Sequence, residues 1–329
     1  MNDLSIEKNP LFKYVNSNSV YGFGVPDFSM FGMLQFKAQS HPDAMAYEYF
    51  GTKCTYAQFI KQIEKISSAY FDLGVRKGDI VTVLMPNTPE SVSSIYALNR
   101  LGAVVNIVHP LSAQGEIKRY LNAIESKFLL TIDLCCRKIS EIIDETKLQK
   151  VIVASAGESM PVLLKTAYTL TNKNRNSYNK KDERYISWQR FIKESKSTIK
   201  AYEPKGVEND AVSIILHSGG TTGTPKDIML SNKAFNSLGI QAVMTLRDVG
   251  VGDRILGVLP IFHGFGLGVC FHVCFCFGAC SIILPSFDSK KFGSLLKKNK
   301  PTMLFGVPTL YEAMTKAEGV ENLDFSFIK

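Results

Sequence analysis

The residues best suited to chemistry lie in one nine-residue stretch. They are Ser218, Gly219, Gly220, Thr221, Thr222, Gly223, Thr224, Pro225 and Lys226. Glycines let a backbone approach a ligand closely, while hydroxyls, backbone N–H groups and a lysine donate hydrogen bonds to an anion. The stretch therefore predicts a loop that binds polyphosphate, although its spacing differs from that of the common P-loop. The alternative is a solvent-exposed Gly/Thr turn, but such a turn needs no lysine at its exit.

The flanking sequences indicate how this loop is held. Apolar runs at 211–216 and 228–230 predict a strand on each side of it. A second candidate segment, Pro260-Ile261-Phe262-His263-Gly264, follows the apolar run 254–259. At the end of a strand, a neutral His263 beside Phe262 and Phe265 could shape an apolar passage, and it need not take part in proton transfer. The alternative is a histidine that merely satisfies its hydrogen bonds at a strand end.

Apolar runs and helical periodicities alternate along most of the chain. Thr55 and Thr88 are placed to cap helices, and the runs 80–85 and 104–108 are typical of strands covered on both faces. Further strands are predicted at 46–50, 128–131, 151–153 and 302–305. Helices are predicted at 137–147 and 290–298, and another helix opens at 306–311. This alternation predicts an α/β fold, with parallel sheets flanked by helices.

Composition divides the chain into three predicted parts. Residues 1–40 form an N-terminal arm of scattered aromatic residues among Asn, Ser and Gly, which we expect to pack onto the body. Residues 41–205 form a first α/β subdomain with a basic insertion near 155–200. Residues 206–329 form a second subdomain that carries the loop. The chain has 329 residues, of which 45% are hydrophobic, enough to bury a full core.

Charge and cysteine content exclude several classes of protein. The net charge is +8, but no nucleic-acid motif accompanies it, and the excess of ten Lys/Arg over three Asp/Glu in 165–200 accounts for most of it. The seven cysteines show no C-x-x-C spacing and the N-terminus is polar, which favours a cytoplasmic protein without nucleic-acid partners.

The run 264–284 carries no charge and is long enough to suggest a membrane span, but glycines interrupt it. We therefore interpret it as a buried helix followed by a strand. The cysteines at 270, 274, 276 and 280 then belong to the core rather than to a metal site.

The basic insertion has two interpretations. In the first, the apolar residues at 160–164 and the Lys/Arg-rich residues that follow make a weak contact with a membrane surface through the 160–200 segment, which would place the protein at the membrane periphery. In the second, the segment is a solvated charged loop, because the basic part lacks helical amphipathicity. The sequence leaves both interpretations open.

The loop sequence resembles the phosphate loop of the adenylate-forming, or AMP-binding, enzymes. Gly220-Thr221-Thr222-Gly223 and Pro225-Lys226 match that motif, and Gly219 in place of serine resembles the long-chain fatty acyl-CoA ligase branch. Further resemblance lies at 74–87, 101–110, 260–264 and 306–311, so the similarity spans about 55–311. Two positions depart from the pattern: Asp227 replaces a glycine and Asn232 a histidine. We expect Asp227 to pair with Lys226 and to repel a polyphosphate; the alternative is that Asp227 points to solvent or helps to hold Mg²⁺.

The resemblance implies the N-terminal domain of an acyl-CoA synthetase with the C-terminal domain absent. It implies ATP, Mg²⁺ and coenzyme A as cofactor and cosubstrates, and a fatty or other carboxylic acid as substrate. The residues from Ser218 to Thr224 and Lys226 would bind the nucleotide, Thr221 the metal, and His263 and Gly264 the acid. No catalytic residue is assigned in this portion, and the motifs for adenine, ribose and the adenylation lysine are expected beyond it. The alternatives are a non-catalytic nucleotide- or acyl-binding fragment, an enzyme for an aryl or amino acid, and a membrane-associated lipid-binding protein.

Overall fold

The computed structural model describes residues 24–171, 178–179, 181–201, 210–218, 226–246 and 248–329. The strands are β1 (Met45–Tyr49), β2 (Thr52–Thr55), β3 (Ile80–Leu84), β4 (Val104–Ile107), β5 (Phe128–Ile132), β6 (Lys150–Ala154), β7 (Tyr185–Ser187), β8 (Val212–Ser218), β9 (Lys226–Ser231), β10 (Arg254–Gly257) and β11 (Cys280–Ile283). The α-helices are α1 (Met30–Ser40), α2 (Tyr56–Asp72), α3 (Pro89–Arg100), α4 (Gln114–Ala123), α5 (Cys136–Ser140), α6 (Val162–Thr171), α7 (Trp188–Glu194), α8 (Asn232–Thr245), α9 (Cys274–Phe277), α10 (Phe292–Asn299) and α11 (Pro308–Thr315). A π-helix, Gly266–Val273, runs directly into α9.

Seven strands form the larger sheet, in the order β7-β6-β5-β3-β4-β8-β9. All neighbours are parallel except β8 and β9, which pair antiparallel at one edge. Helix α3 packs against α2 and is buried along its whole length. The α/β class predicted from the alternation is therefore confirmed, with an antiparallel hairpin at the edge that carries the predicted loop.

The smaller sheet joins distant parts of the chain. Its order is β10-β11-β1-β2, and β1 lies parallel to β11. Strands β8 and β9 belong to the larger sheet although they follow residue 206, whereas β1 and β2 join the smaller sheet although they precede it. Each sheet thus combines strands from both sides of position 205/206, because non-local pairing decides which strands associate. The division into subdomains at this position stays a prediction.

Local signals place several elements correctly. Thr55 caps α2 and Thr88 caps α3, and in each case the backbone N–H of the cap donates a reciprocal hydrogen bond to the side chain of the third helical residue. The region 137–147 is different, since the predicted helix is divided into the short α5 and a separate 3₁₀ turn, Ile143–Glu145. The predicted strand at 302–305 is reduced to one bridge, between Ile255 and Met303.

The described part of the N-terminal arm is a core element. Helix α1 buries Phe31 completely, and Ser29 caps its first turn. The backbone N–H of Phe31 donates to Asn99 Oδ1 of α3, and that of Met30 donates to Asn232 Oδ1 at the start of α8. Asn232, one of the two departures from the family pattern, therefore anchors α1 from inside the core. Residues 1–23 of the predicted arm lie outside the described residues.

Candidate functional site

An apolar cavity of about 630 Å³ opens where the carboxyl ends of strands from both sheets meet. Its walls come from the segments after β3, β4, β5, β6, β10 and β11 and from the start of α11. The lining includes Pro86, Asn87, His109, Pro110, Ile132, Ala156, Val258, Phe262, Phe287, Val307 and Leu310. Crevices at the carboxyl ends of parallel strands are the usual ligand sites of α/β folds, and this volume fits a small organic ligand.

His109 and Phe262 lie at one side of this cavity, and His263 stands next to them outside its lining. The rings of His109 and Phe262 are 3.9 Å apart, and the ring of His263 stands nearly perpendicular to that of His109 at 6.5 Å. His109 Nδ1 accepts a hydrogen bond from the backbone N–H of Leu111, and burial lowers the pKa of His109, with His263 adding to the shift. His109 is therefore a neutral imidazole at pH 7, suited to contact an uncharged acyl chain. His263 is exposed, and its ring centroid lies 5.0 Å from that of Phe262. Neither His263 nor Gly264 lines the cavity, and their contact with the acid stays a prediction.

Asn87 holds the segment that carries Phe262 and His263. Its Nδ2 donates to the carbonyl oxygens of Gly257 and Leu259, at 3.1 and 2.9 Å. Its Oδ1 accepts from the N–H of Ile261, at 2.8 Å. These three bonds are buried and link the segment after β3 to the segment after β10. Asn87 thus fixes the two sheets at the cavity.

The stem of the predicted phosphate loop lies beside the same segment. Ser218 ends β8 and is paired with Lys226, which begins β9. Because β8 runs parallel to β4, Ser218 lies at the same sheet edge as the cavity. A Cβ atom at Gly264 would lie 3.2 Å from Leu216 Cδ1, so the segment after β10 contacts β8 just before the loop. The residues Gly219, Gly220, Thr221, Thr222, Gly223, Thr224 and Pro225 lie outside the described residues, and their phosphate and metal roles stay predictions.

Asp227 is bonded to a histidine rather than to Lys226. In the β8–β9 pair, Asp227 faces His217, and its Oδ1 lies 2.8 Å from His217 Nδ1. The expectation of a Lys226–Asp227 pair did not foresee this partner, because side chains of adjacent strand residues point to opposite faces of a sheet. The other ring nitrogen of His217, Nε2, is 2.7 Å from Asn106 Oδ1 of β4.

Metal and membrane predictions gain no further support. Among the described residues, no group of three or more His, Cys, Asp or Glu side chains is placed to hold a metal ion. No described helix has the length and hydrophobicity needed to cross a bilayer. Helix α6 leaves Val162 and Leu163 81% and 85% exposed, while residues 172–177 and 180 of the basic insertion lie outside the described residues. Membrane contact through the 160–200 segment stays a prediction.

Sequence reasoning missed three residues of this site. His109 and Asn87 each follow a predicted strand at its carboxyl end, and this position is the signal that identifies them in retrospect. His217 likewise follows the predicted strand at 211–216, but nothing in the sequence indicates its partners, because Asn106 and Asp227 lie on other strands. Only the strand register brings the three together.

Comparison with known proteins gives a consistent result. A family model described as AMP-binding enzyme matches residues 34–328. The chain is 26% identical over 307 residues to a long-chain-fatty-acid-CoA ligase of Bacillus subtilis (strain 168), covering 93% of this chain and 55% of that protein. It is 25% identical over 278 residues to 4-coumarate-CoA ligase 2 of Solanum tuberosum, covering 84% and 46%. The chain therefore spans about half the length of these relatives.

Solved structures share the fold. A long-chain-fatty-acid-CoA ligase from Archaeoglobus fulgidus superposes with a TM-score of 0.76 at 20% identity, over 94% of this chain and 57% of that one. The inhibitor-bound N-terminal domain of FACL13 from Mycobacterium tuberculosis gives 0.69 at 23% identity, over 92% and 68%. The architecture thus corresponds to the N-terminal domain of acyl-CoA ligases.

Proposed function

Because the chain belongs to the AMP-binding enzyme family, we propose that it is the nucleotide- and acid-binding portion of an ATP-dependent acid-CoA ligase whose acid is a fatty acid. The observation that carries the proposal is the apolar cavity beside Phe262 and the loop stem, at the carboxyl ends of both sheets. An apolar chain bound in this cavity would lie at the same edge of the larger sheet as the loop stem.

The proposed reaction has two steps. A carboxylate oxygen of the acid bonds to the α-phosphorus of ATP as the bond to pyrophosphate breaks, and the thiolate of coenzyme A then attacks the acyl carbon and releases AMP. Lys226 and the loop hydroxyls would hold the phosphates as negative charge moves onto the pyrophosphate. Mg²⁺ would neutralise phosphate charge, and Thr221 with the phosphate oxygens are its proposed ligands, as is usual for this ion.

The lining of the cavity favours a fatty acid over a smaller aryl acid. Its walls are mainly Pro, Ile, Val, Leu and Phe side chains, and the nearby His109 is neutral. Each methylene group transferred from water to such a wall contributes about 0.8 kcal/mol, or roughly a fourfold gain in affinity. An aryl acid would show no such dependence on chain length, although 4-coumarate-CoA ligases are also among the relatives.

Isotope exchange between ATP and pyrophosphate tests the proposal. It should be measured with saturated fatty acids of increasing length and with 4-coumarate, on this chain and on a version extended to the full length of its relatives. We expect exchange in the extended protein, rising with chain length. Ala156→Phe should narrow the cavity and reduce the preference for long acids, whereas Ala123→Phe, on the exposed end of α4, should not.

Three outcomes separate the alternatives. Equal exchange with 4-coumarate and no dependence on chain length would replace the fatty acid by an aryl acid. Nucleotide binding without exchange in either protein would favour a non-catalytic binding protein. Robust exchange by these 329 residues alone would contradict the expectation that the reaction needs the motifs for adenine, ribose and the adenylation lysine.

A further inference from the structure

A line of hydrogen-bonded side chains crosses the larger sheet beneath the loop stem. Ser126 Oγ is 2.8 Å from Thr82 Oγ1, and Asn106 Nδ2 donates to Thr82 Oγ1 at 3.0 Å. Asn106 Oδ1 then lies 2.7 Å from His217 Nε2, and His217 Nδ1 lies 2.8 Å from Asp227 Oδ1. The first three side chains belong to fully buried residues, and the line reaches the surface only at Asp227, which is 46% exposed.

The hydrogen-bond partners of His217 determine which of its ring nitrogens carries a proton. A carboxylate only accepts hydrogen bonds, so His217 Nδ1 carries a proton and donates to Asp227 whether the ring is neutral or charged. In the charged ring, Nε2–H also donates to Asn106 Oδ1. In the neutral ring, Nε2 accepts instead, and the Asn106 amide turns over to donate to it while its oxygen accepts from the Thr82 hydroxyl. The bond from His217 to Asp227 is common to both states.

Besides the hydrogen bonds at its two nitrogens, the ring of His217 has a stacking partner on one face. Tyr120 of α4 stacks on it, with ring centroids 3.8 Å apart, and the Arg119 guanidinium lies over the Tyr120 ring. The side chain of His217 is only 7% exposed. Burial lowers the pKa of His217, and the Asp227 carboxylate opposes that shift. The ring thus has one fixed orientation, with Nδ1 towards Asp227.

The position of this contact relates it to the loop. His217 and Asp227 are paired in the β8–β9 register, and the next pair outward is Ser218 with Lys226. The residues between Ser218 and Lys226 are those of the predicted phosphate loop. A carboxylate at 227 that is free to turn towards the loop would repel phosphates there, and this repulsion weakens anion binding.

We propose that His217 is a positioning residue of the nucleotide site: it holds the Asp227 carboxylate across the β8–β9 pair and fixes both strands to Asn106 of β4. This rests on the proposed function, since the anion is taken to be ATP. The carboxylate of Asp227, which replaces the glycine usual in the family, is thereby held by a hydrogen bond to His217 and cannot turn towards the phosphates.

Titration calorimetry with ATP on four proteins tests the proposal. These are the wild type, His217→Phe, Asp227→Asn and the double variant, at one salt concentration and with the free energy of unfolding measured for each. His217→Phe should weaken ATP binding roughly three- to tenfold, because it frees the carboxylate. The double variant should recover most of that loss, because no carboxylate remains. If the double variant binds as weakly as His217→Phe or more weakly, His217 is only structural and the proposal is wrong.

A conservative variant and a spectroscopic readout complete the design. His217→Asn keeps an N–H donor near the position of Nδ1, so it should bind ATP nearly as well as the wild type; binding as weak as that of His217→Phe would overturn the proposal. In ¹⁵N-edited NMR, the Nδ1 proton of His217 should be protected from exchange in the wild type and lost in Asp227→Ala. An unprotected wild-type proton would overturn the contact itself. A protected proton with no ATP binding would instead overturn the proposed function and, with it, the nucleotide role of His217.

Discussion

Replacing Asn87 by alanine tests how the two sheets are joined at the cavity. The wild-type side chain is 2% exposed and makes three hydrogen bonds, all to backbone groups of the segment after β10. Asn87→Ala removes both donors and the acceptor together. The carbonyl oxygens of Gly257 and Leu259 and the N–H of Ile261 then lose these partners in the protein interior.

The expected cost follows from the number of bonds. A buried intramolecular hydrogen bond contributes about 0.5–1.5 kcal/mol net, so three give roughly 1.5–4.5 kcal/mol, with a central value near 3. Asn87→Asp keeps the acceptor for Ile261 but turns an oxygen towards two carbonyl oxygens. We expect it to be at least as destabilising as Asn87→Ala at pH 7, and to recover part of the loss in acid, where the protonated carboxyl group donates to one carbonyl.

Urea unfolding followed by circular dichroism measures both variants. The matched control is Asn122→Ala, because Asn122 is exposed and its Nδ2 makes one bond, to the carbonyl of Glu145. We expect the control to lose less than about 1 kcal/mol. If Asn87→Ala costs no more than Asn122→Ala, the three buried bonds do not join the sheets and the reasoning is refuted.

Three further predictions concern other parts of the molecule. Burial lowers the pKa of His272 to about 3, from 6.5, so the unfolded chain binds more protons between these values. The free energy of unfolding should therefore fall by up to about 1.4 kcal/mol per pH unit on acidification through this window, and less steeply in His272→Gln; equal slopes would contradict the assignment. Gly266→Ala should strongly destabilise the fold in urea, because its Cβ would lie 2.1 Å from a backbone oxygen, while Gly250→Ala, which has open space, should not. Lys226→Ala should weaken ATP binding in calorimetry about ten- to a hundredfold, and Lys298→Ala, on α10, should leave it unchanged; equal losses would mean a general effect of charge.

The sequence was sufficient for elements that are defined by neighbouring residues. Thr55 and Thr88 mark helix starts because capping involves a side chain and backbone groups only three positions away. The strand cores at 80–84 and 104–107 are predictable because a central parallel strand is covered on both faces and therefore consists mostly of apolar residues. The loop composition likewise indicated its family without any knowledge of the fold.

What the sequence could not provide was pairing across long separations. The contact between His217 and Asn106 depends on the register of β8 against β4, and no local pattern encodes that register. The strand predicted at 302–305 has suitable residues, but only Met303 bridges to β10. Helix α1 was not predicted for a similar reason, because its first two N–H groups donate to Asn232 and Asn99, which lie far along the chain.

The smaller sheet has a consequence for how the chain folds during synthesis. The Tyr56 hydroxyl, next to β2, donates to the carbonyl of Ala279, which is 223 positions further along the chain. At a translation rate of roughly 5–20 residues per second, about 10 to 45 s pass between the synthesis of these two residues. Throughout that interval β1 has no β11 to pair with, and its unpaired edge can join other strands instead. The interval between the two halves of this sheet is therefore the stage at which the nascent chain most needs protection from aggregation.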